Sequence, residues 1–223
     1  KLGAIGLQIN NQKKMFYTNI FLNYGAEKES QNLSLTECKL DTSYSLKPWI
    51  VTNHYTKEKE IIIQDNSNKI YLISSIGKVI WKKQLNEKIV GNIQQVDRYK
   101  NNKLQYTFAT TNRFHQIDRN GKDVQGYPVL LKAPVTKGLT VLDYDKNRNY
   151  RILLTQGKNI NNFNIEGVLV KGWEFKSNAE IVVQPQILQV AKKDYIITAD
   201  QSGNIRVLNR KGEDRINLNT TLP

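Results

Sequence analysis

The sequence has little of the chemistry on which most enzymes and metal proteins depend. Its 223 residues include one cysteine, Cys38, and two histidines, His54 and His115. One cysteine excludes a disulfide scaffold and a zinc site built from several cysteines. Two histidines exclude a histidine-rich metal centre. No apolar run approaches the roughly 20 residues that span a bilayer, and glycine-rich phosphate loops are absent. We therefore expect no catalytic site and no transmembrane segment in this chain.

What the sequence does have is a repeat. Gly77, Gly121, Gly167 and Gly212 are separated by 44, 46 and 45 residues. Each glycine lies in a polar turn between two segments rich in Val, Ile, Tyr, Phe and Thr, the residues that strands prefer. Two further strand-like segments precede each of these turns, as at 49–52 and 60–65. The spacing therefore predicts four strands in each stretch of about 45 residues.

The phase of the repeat divides the chain into five units, 1–48, 49–92, 93–138, 139–183 and 184–223. The first unit is weaker, with strand-like segments at 4–9, 15–22 and 33–40 and no counterpart of the first strand. Four antiparallel strands per 40 to 50 residues is typical of a β-propeller blade. We predict an all-β fold with four and a half to five blades, and we expect them to be part of a larger propeller.

The glycines and the aromatic residues that follow them have structural interpretations. A hairpin between the third and fourth strands calls for positive φ, which glycine adopts at no steric cost. Trp81, Tyr127 and Trp173 follow three of the glycines. We expect them to pack between blades or at the rim.

Several of these segments resemble known repeats. Residues 71–82 read Tyr-Leu-Ile-Ser-Ser-Ile-Gly-Lys-Val-Ile-Trp-Lys and resemble a blade of the quinoprotein-like (PQQ-repeat) propellers. Residues 121–129 and 167–175 resemble repeats of the FG-GAP and VCBS type. As a whole, residues 49–218 are similar to large propeller proteins of the Bacteroidetes cell envelope. The resemblance implies blades and a periplasmic or outer-membrane-associated location, and it leaves the function open because propellers host many activities.

The chain departs from both repeat families at their ligand sites. Quinoprotein dehydrogenases hold their quinone and a calcium ion with residues for which we find no matching set, and Cys38 cannot form their vicinal disulfide. The nearest match to an FG-GAP calcium loop is the alternation of Asp143, Asp145 and Asn147, which offers oxygen ligands. It lacks the glycine and the downstream acid of such loops. An ordinary hairpin tip is the alternative interpretation, and the cofactor prediction is none, with calcium as the weak candidate.

The charge is strongly positive, and it is shared among all five units. Lysine and arginine number 33 against 20 acidic residues, a formal charge of +13. No unit carries a polybasic tail, so we expect a solvated surface and no nucleic-acid partner. An anionic partner is the alternative. Its best place is the third unit, which contains Arg98, Lys100, Lys103, Arg113, Arg119 and Lys122.

The two histidines carry no catalytic pattern. His115 lies in the alternating segment 114–118, which predicts a polar residue on the surface or in the central channel. His54 lies in a hairpin tip and is expected to be solvated. A general base would need a partner within hydrogen-bond reach, which the sequence does not show.

We predict a non-catalytic binding or scaffolding propeller of a bacterial cell envelope, which engages a protein, or a glycan, through its blade loops. The first alternative is a propeller of a quinoprotein-like enzyme that holds a quinone or calcium. The second is an anion-binding module that uses the basic residues of the third unit.

Overall fold

The computed structural model describes residues 2–12, 15–24, 38–44, 46–191, 193–216 and 218. The chain divides into two compact units, Lys1–Glu37 and Cys38–Pro223. Every regular element in the described residues is a β-strand. None of the described segments is a helix of the length and apolarity that crossing a membrane requires.

The first unit contains one long antiparallel hairpin. Strand β1 (Leu2–Gln12) pairs with β2 (Met15–Tyr24), with one irregularity between Leu2 and Ala4. The strands predicted at 4–9 and 15–22 lie inside these two. Of the third predicted strand, 33–37 lies outside the described residues, and 38–40 is not in a strand.

The second unit consists of four antiparallel sheets, which we call blades 1 to 4. Blades 1, 2 and 4 have four strands each, hydrogen-bonded in chain order, and blade 3 has three. This confirms the predicted all-β blade architecture. The strands are β3 (Trp49–Thr52), β4 (Lys59–Gln64), β5 (Lys69–Ile73) and β6 (Val79–Gln84) in blade 1; β7 (Ile89–Val96), β8 (Gln105–Thr110), β9 (Arg113–Ile117) and β10 (Val129–Leu130) in blade 2; β11 (Lys137–Leu142), β12 (Arg151–Gln156) and β13 (Asn159–Asn164) in blade 3; and β14 (Gln186–Val190), β15 (Lys193–Ala199), β16 (Ile205–Leu208) and β17 (Asp214–Ile216) in blade 4.

Two of the innermost strands begin earlier than the repeat predicts, so that the predicted unit boundaries after 92 and 138 cut β7 and β11. The pairing of each strand is irregular close to a glycine, Gly91 in β7 and Gly138 in β11. The two glycines meet across the blade boundary: a Cβ on Gly91 would lie 2.3 Å from the Cα of Gly138. Glycine is therefore required where the innermost strands of blades 2 and 3 approach each other.

The fourth strand is reduced in blades 2 and 3. In blade 2 it is the two-residue β10, which follows Pro128, a residue without an N–H to donate. In blade 3 pairing continues through the bridge between Phe163 and Leu169 and ends before Gly172, whose φ is 76°. Positive φ turns the chain away from the sheet there.

The core consists of apolar layers between neighbouring blades. Alternate residues of a strand point to opposite faces of its sheet. Each interior layer therefore combines one face of one blade with the opposite face of the next. The buried side chains include Ile62, Leu72, Tyr106 and Phe108 between blades 1 and 2; Ala109, Phe114, Ile152 and Leu154 between blades 2 and 3; and Leu153, Ile160, Ile196 and Leu208 between blades 3 and 4.

The aromatic residues that follow the hairpin glycines link successive blades. The Trp81 ring of blade 1 would lie 3.0 Å from a Cβ on Gly121 of blade 2, and its Nε1 donates to the Arg119 carbonyl at 2.7 Å. The Trp173 ring, after blade 3, stands in the same relation to Gly212 of blade 4, also at 3.0 Å. The predicted inter-blade packing is confirmed for these tryptophans.

The outer faces of blades 1 and 4 expose apolar side chains. Ile50 and Ile61 of blade 1 are 73% and 38% exposed, and Leu188 and Val190 of blade 4 are 51% and 49% exposed. Ile196, which occupies in blade 4 the position of Ile61, is fully buried against blade 3. The end faces therefore differ from the interior layers by their exposed apolar surface.

Candidate binding face

One end of the four sheets collects two kinds of hairpin. In an antiparallel sheet the first and third strands finish at the same end. The hairpins between first and second strands and the glycine hairpins between third and fourth strands therefore lie together, and we call this end the hairpin face. Its segments are 53–58, 97–104, 143–150, 74–78, 118–122, 164–168 and 209–213.

Side-chain oxygens hold these hairpins in place from within. In blade 2 the Asp97 carboxylate accepts the backbone N–H groups of Asn101 and Asn102 at 3.0 and 2.8 Å. The Asp118 carboxylate does the same for Asn120 and Lys122 at 2.8 and 2.9 Å. Such Asx turns fix a hairpin tip without a ligand. The hairpin face is thus a set of preorganised loops.

The three predicted calcium ligands take part in the same kind of bonding. A carboxylate oxygen of Asp143 accepts the backbone N–H groups of Asn147 and Arg148 at 3.0 and 3.1 Å. Asn147 Oδ1 accepts the N–H of Asn149 at 2.9 Å, and Asp145 Oδ1 pairs with Arg210 at 2.8 Å. Their geometry is that of a hairpin tip, and the calcium site stays a prediction.

The six basic residues of the third unit do not form one surface. Arg113 lies at the opposite end of blade 2 and pairs with Glu87 at 3.4 Å. The other five lie at the hairpin face, where three of them have internal partners. These are Arg98 with Gln116 at 3.1 Å, Lys100 with Asn149 at 2.7 Å, and Arg119 with Glu60; within the described residues Lys103 and Lys122 make no ion pair. The anion-binding role of this set stays a prediction.

A cavity of about 300 Å³ opens on the hairpin face between blades 1 and 2. Tyr55 and Tyr99 line it and are 65% and 55% exposed. The Tyr55 ring lies 4.2 Å from the ring of His54, and the Arg98 guanidinium lies 5.8 Å from the ring of Tyr99. The remaining lining residues are His54, Asn101, Lys103, Leu104, Gln105, Asp118, Arg119 and Asn120.

A buried ion pair joins the two blades beside this cavity. Arg119 of blade 2 donates to Glu60 Oε1 of blade 1, which also accepts from Asn53 Nδ2 at 3.0 Å. Glu60 is 2% exposed. Glu60 Oε2, Arg119 Nε and the Tyr106 hydroxyl have no partner among the described residues. Burial raises the pKa of Tyr106, so its hydroxyl stays protonated.

His54 is buried, contrary to the expectation of a solvated hairpin residue. It is 9% exposed, and its Nδ1 accepts the backbone N–H of Leu104 at 3.2 Å. That bond leaves the neutral ring with its proton on Nε2. Burial and the nearby Arg119 and Lys57 charges lower the pKa of His54. The hairpin tip of blade 1 is buried because it packs against that of blade 2, which sequence periodicity does not reveal.

His115 is also buried, and the prediction of a surface or channel position is wrong. It is 6% exposed, stacks on Phe108 at 4.9 Å, and has Thr110 Oγ1 3.4 Å from its Nε2. Blade 2 is covered on both faces, so alternation in β9 does not separate core from solvent. Burial lowers the pKa of His115 to about 4.

The low pKa of His115 predicts acid destabilisation. Between pH 6.5 and about 4 the unfolded chain binds a proton that the folded chain does not. Stability should therefore fall as pH decreases through this window, by up to about 3 kcal/mol from this residue. We expect His115→Gln to lose about that much less stability than the parent protein between pH 7 and pH 4 in urea titrations. Equal losses in the two proteins would contradict this assignment.

Comparison with solved structures supports the blade architecture. Two crystal structures of BBS1N in complex with ARL6DN, soaked with lead and with mercury, match with TM-scores of 0.63 and 0.59 at 14% identity. The matches cover 81% and 77% of this chain and 60% and 53% of theirs. The Neurospora crassa Pan2 WD40 domain matches with a TM-score of 0.51 at 13% identity, over 75% of this chain and 48% of that one. These likenesses show the β-propeller fold.

The chain spans about half to 60% of the length of these structures. No protein-family model matches it, and no curated protein matches it at a significant level. The resemblance to PQQ and FG-GAP repeats stays a prediction.

Proposed function

We propose that this chain is a non-catalytic binding propeller that engages a protein partner at the hairpin face. The cavity between blades 1 and 2, flanked by Tyr55 and Tyr99, carries the proposal. Tyrosine and arginine are enriched among the residues that dominate binding energy in protein interfaces. Here two exposed tyrosines adjoin Arg119, whose position is fixed by a buried ion pair.

The loops around this cavity favour recognition over catalysis. Their Asx turns and the inter-blade ion pair hold the contact groups in place before a partner arrives, which reduces the entropy lost on binding. His54 uses Nδ1 to accept a backbone N–H. The described residues contain no group of three or more His, Cys, Asp or Glu side chains placed to hold a metal. The BBS1N structures, captured with ARL6DN, are an example of a similar fold in complex with another protein.

The test is affinity capture with variants of the chain as bait. We expect Tyr55→Ala/Tyr99→Ala to reduce recovery of the partner at least tenfold, because truncating a residue that dominates an interface costs about 2 kcal/mol or more. Recovery is measured by quantitative mass spectrometry and then as the Kd of the purified partner.

Tyr44 supplies the matched control. It is 56% exposed and lies at the opposite end of blade 1, paired with Asp65. Tyr44→Ala should leave recovery unchanged. A partner lost equally in both variants, or in neither, would contradict the proposed face.

The family resemblance extends the proposal to a location and an alternative. We propose that the partner resides in a bacterial cell envelope, and cell fractionation would test this. A glycan in place of a protein, or a quinone or calcium ligand, is the alternative. A rise in melting temperature on adding pyrroloquinoline quinone or calcium would favour the hypothesis that the chain binds a cofactor.

A further inference from the structure

At the hairpin face, two residue positions at the boundary between blades 1 and 2 have structural equivalents at the boundary between blades 3 and 4. The first lies two residues before a buried residue of the second strand: Glu60 before Ile62 in blade 1, and Arg151 before Leu153 in blade 3. Ile62 and Leu153 pair with the residues five before the hairpin glycines, so their registers match. The second position lies two residues before the glycine of the following blade, and it is arginine in both cases, Arg119 and Arg210.

The charge at the first position is reversed. Between blades 1 and 2 the Glu60 carboxylate balances Arg119. Between blades 3 and 4 Arg151 stands where that carboxylate would be. Arg210 turns to Asp145 at 2.8 Å and to Asp194, and its guanidinium lies 4.7 Å from the ring of Tyr144. These contacts neutralise Arg210, and Arg151 has no ion pair with any residue that the structure describes.

A cavity of about 390 Å³ lies at this boundary. It is lined by Arg151, Lys171, Lys211, Trp173, Tyr144 and Asn162, among others. Within the described part of the chain, Arg151, Lys171 and Lys211 make no salt bridge. The Arg151 guanidinium makes one hydrogen bond there, to the carbonyl of Tyr150 at 3.2 Å. A second cavity of about 470 Å³ shares Arg151 and Lys171. Asp145 and Arg210 also line the first cavity, and Glu166 also lines the second, so the two cavities are neighbours along one groove in which basic residues outnumber acidic ones.

The first cavity also contains buried neutral polar groups. Asn162 is 3% exposed, and its Oδ1 accepts no hydrogen bond from the described residues. The Tyr144 hydroxyl is buried and likewise without a partner among them. Burial raises the pKa of Tyr144, so this hydroxyl remains a donor. The cavity thus combines uncompensated cations with an acceptor and a donor.

We propose that the groove between blades 3 and 4 binds an acidic saccharide, a sugar chain that carries carboxylate groups. The carboxylate would lie among Arg151, Lys171 and Lys211. A sugar hydroxyl would donate to Asn162 Oδ1 and accept from Tyr144, and Trp173 offers an aromatic surface to a sugar ring.

An acidic peptide fits these groups less well. An ionised carboxylate side chain donates no hydrogen bond, so only a backbone N–H of the peptide could satisfy Asn162 Oδ1, whereas each sugar ring carries several hydroxyl donors. A buried polar atom without a partner weakens binding. The saccharide satisfies both kinds of group, and this site does not depend on the protein partner proposed above.

The test is calorimetric titration of the 223-residue chain with trigalacturonic acid. We expect binding that weakens as salt is raised and that is at least tenfold weaker for the methyl-esterified trimer, which lacks the charge. Arg151→Gln/Lys171→Gln should reduce affinity at least tenfold. Trp173 should report binding by a change in fluorescence that Trp173→Phe removes.

The matched control is Lys146→Gln, which removes an exposed lysine of the same face that does not line the cavity. It should bind like the parent chain. A loss equal to that of the double variant would indicate unspecific attraction and overturn the proposal. Triglutamate binding as tightly as trigalacturonate would identify an acidic-peptide site and also overturn it. No binding of trigalacturonate to a folded parent chain would do the same.

Discussion

Replacing Gly91 with alanine is expected to cost roughly 2–5 kcal/mol, or to prevent folding of the second unit. Gly91 has φ of 78°, and an added Cβ would lie 2.3 Å from the Cα of Gly138. The left-handed conformation alone costs a non-glycine residue roughly 1–2 kcal/mol. The clash is with backbone, which has no rotamer to move, so overpacking adds about 1–3 kcal/mol or more. Urea denaturation followed by tryptophan fluorescence measures the loss.

Gly157 separates the two contributions. Its φ is 64°, and an added Cβ would meet nothing within 4 Å. Gly157→Ala should therefore show the conformational cost alone, about 1–2 kcal/mol. If Gly91→Ala were no more destabilising than Gly157→Ala, that result would contradict the close contact between β7 and β11 at Gly91 and Gly138.

Replacing Glu60 with glutamine is expected to destabilise the protein by about 3 kcal/mol, because it leaves the Arg119 charge without its partner. Removing one member of a buried ion pair typically costs 3–5 kcal/mol. The side chains of Arg119 and Glu60 are 18% and 3% exposed, so solvent screens the remaining charge weakly. Thermal and urea unfolding at pH 7 measure the effect.

Glu58 provides the comparison, because it is an exposed glutamate in the same hairpin. Glu58→Gln should change stability by less than about 0.5 kcal/mol. The double variant Glu60→Gln/Arg119→Gln should recover part of the loss of the single one, since no unpaired charge remains. Additive effects in this double-mutant cycle would contradict a direct ion pair between blades 1 and 2.

The hairpin glycines show that the repeat spacing predicts turn conformation but not the contacts between blades. The spacing of Gly77, Gly121 and Gly212 predicts turns with positive φ, and all three have φ between 77° and 85°. The sequence also places a tryptophan after two of the hairpins. It does not show that the ring of Trp81 would lie 3.0 Å from a Cβ on Gly121. That contact joins two blades, and strand patterns carry no information on which loops meet across a blade boundary.

The sequence gives part of the arrangement of the charged residues: it can show at which end of a blade a residue lies, but not which residue of another blade it contacts. Arg113 begins a strand and Arg119 follows its end, so strand polarity alone would have separated them. The partner of Arg119 is different: Glu60 lies 59 residues earlier in another blade. The glycine spacing aligns Glu60 with Tyr150, and only the strand register shows that Arg151 occupies the position of Glu60, with a cavity beside it.

The tyrosine-flanked cavity could not be predicted at all. Tyr55 and Tyr99 lie in separate hairpin tips whose sequences suggest only solvated turns. They line one cavity because blades 1 and 2 pack face to face through Ile62 and Phe108. Packing between the blades therefore forms this site, and no local sequence motif encodes it.

Site-specific photo-crosslinking in cells would show directly whether a partner binds at the hairpin face. A photoreactive amino acid replaces Tyr99 at the hairpin face, or Lys132, an exposed residue at the opposite end of the same blade. We expect a discrete crosslinked protein band from position 99 and none from position 132. A partner crosslinked from position 132 alone, or equally from both, would contradict binding at the hairpin face.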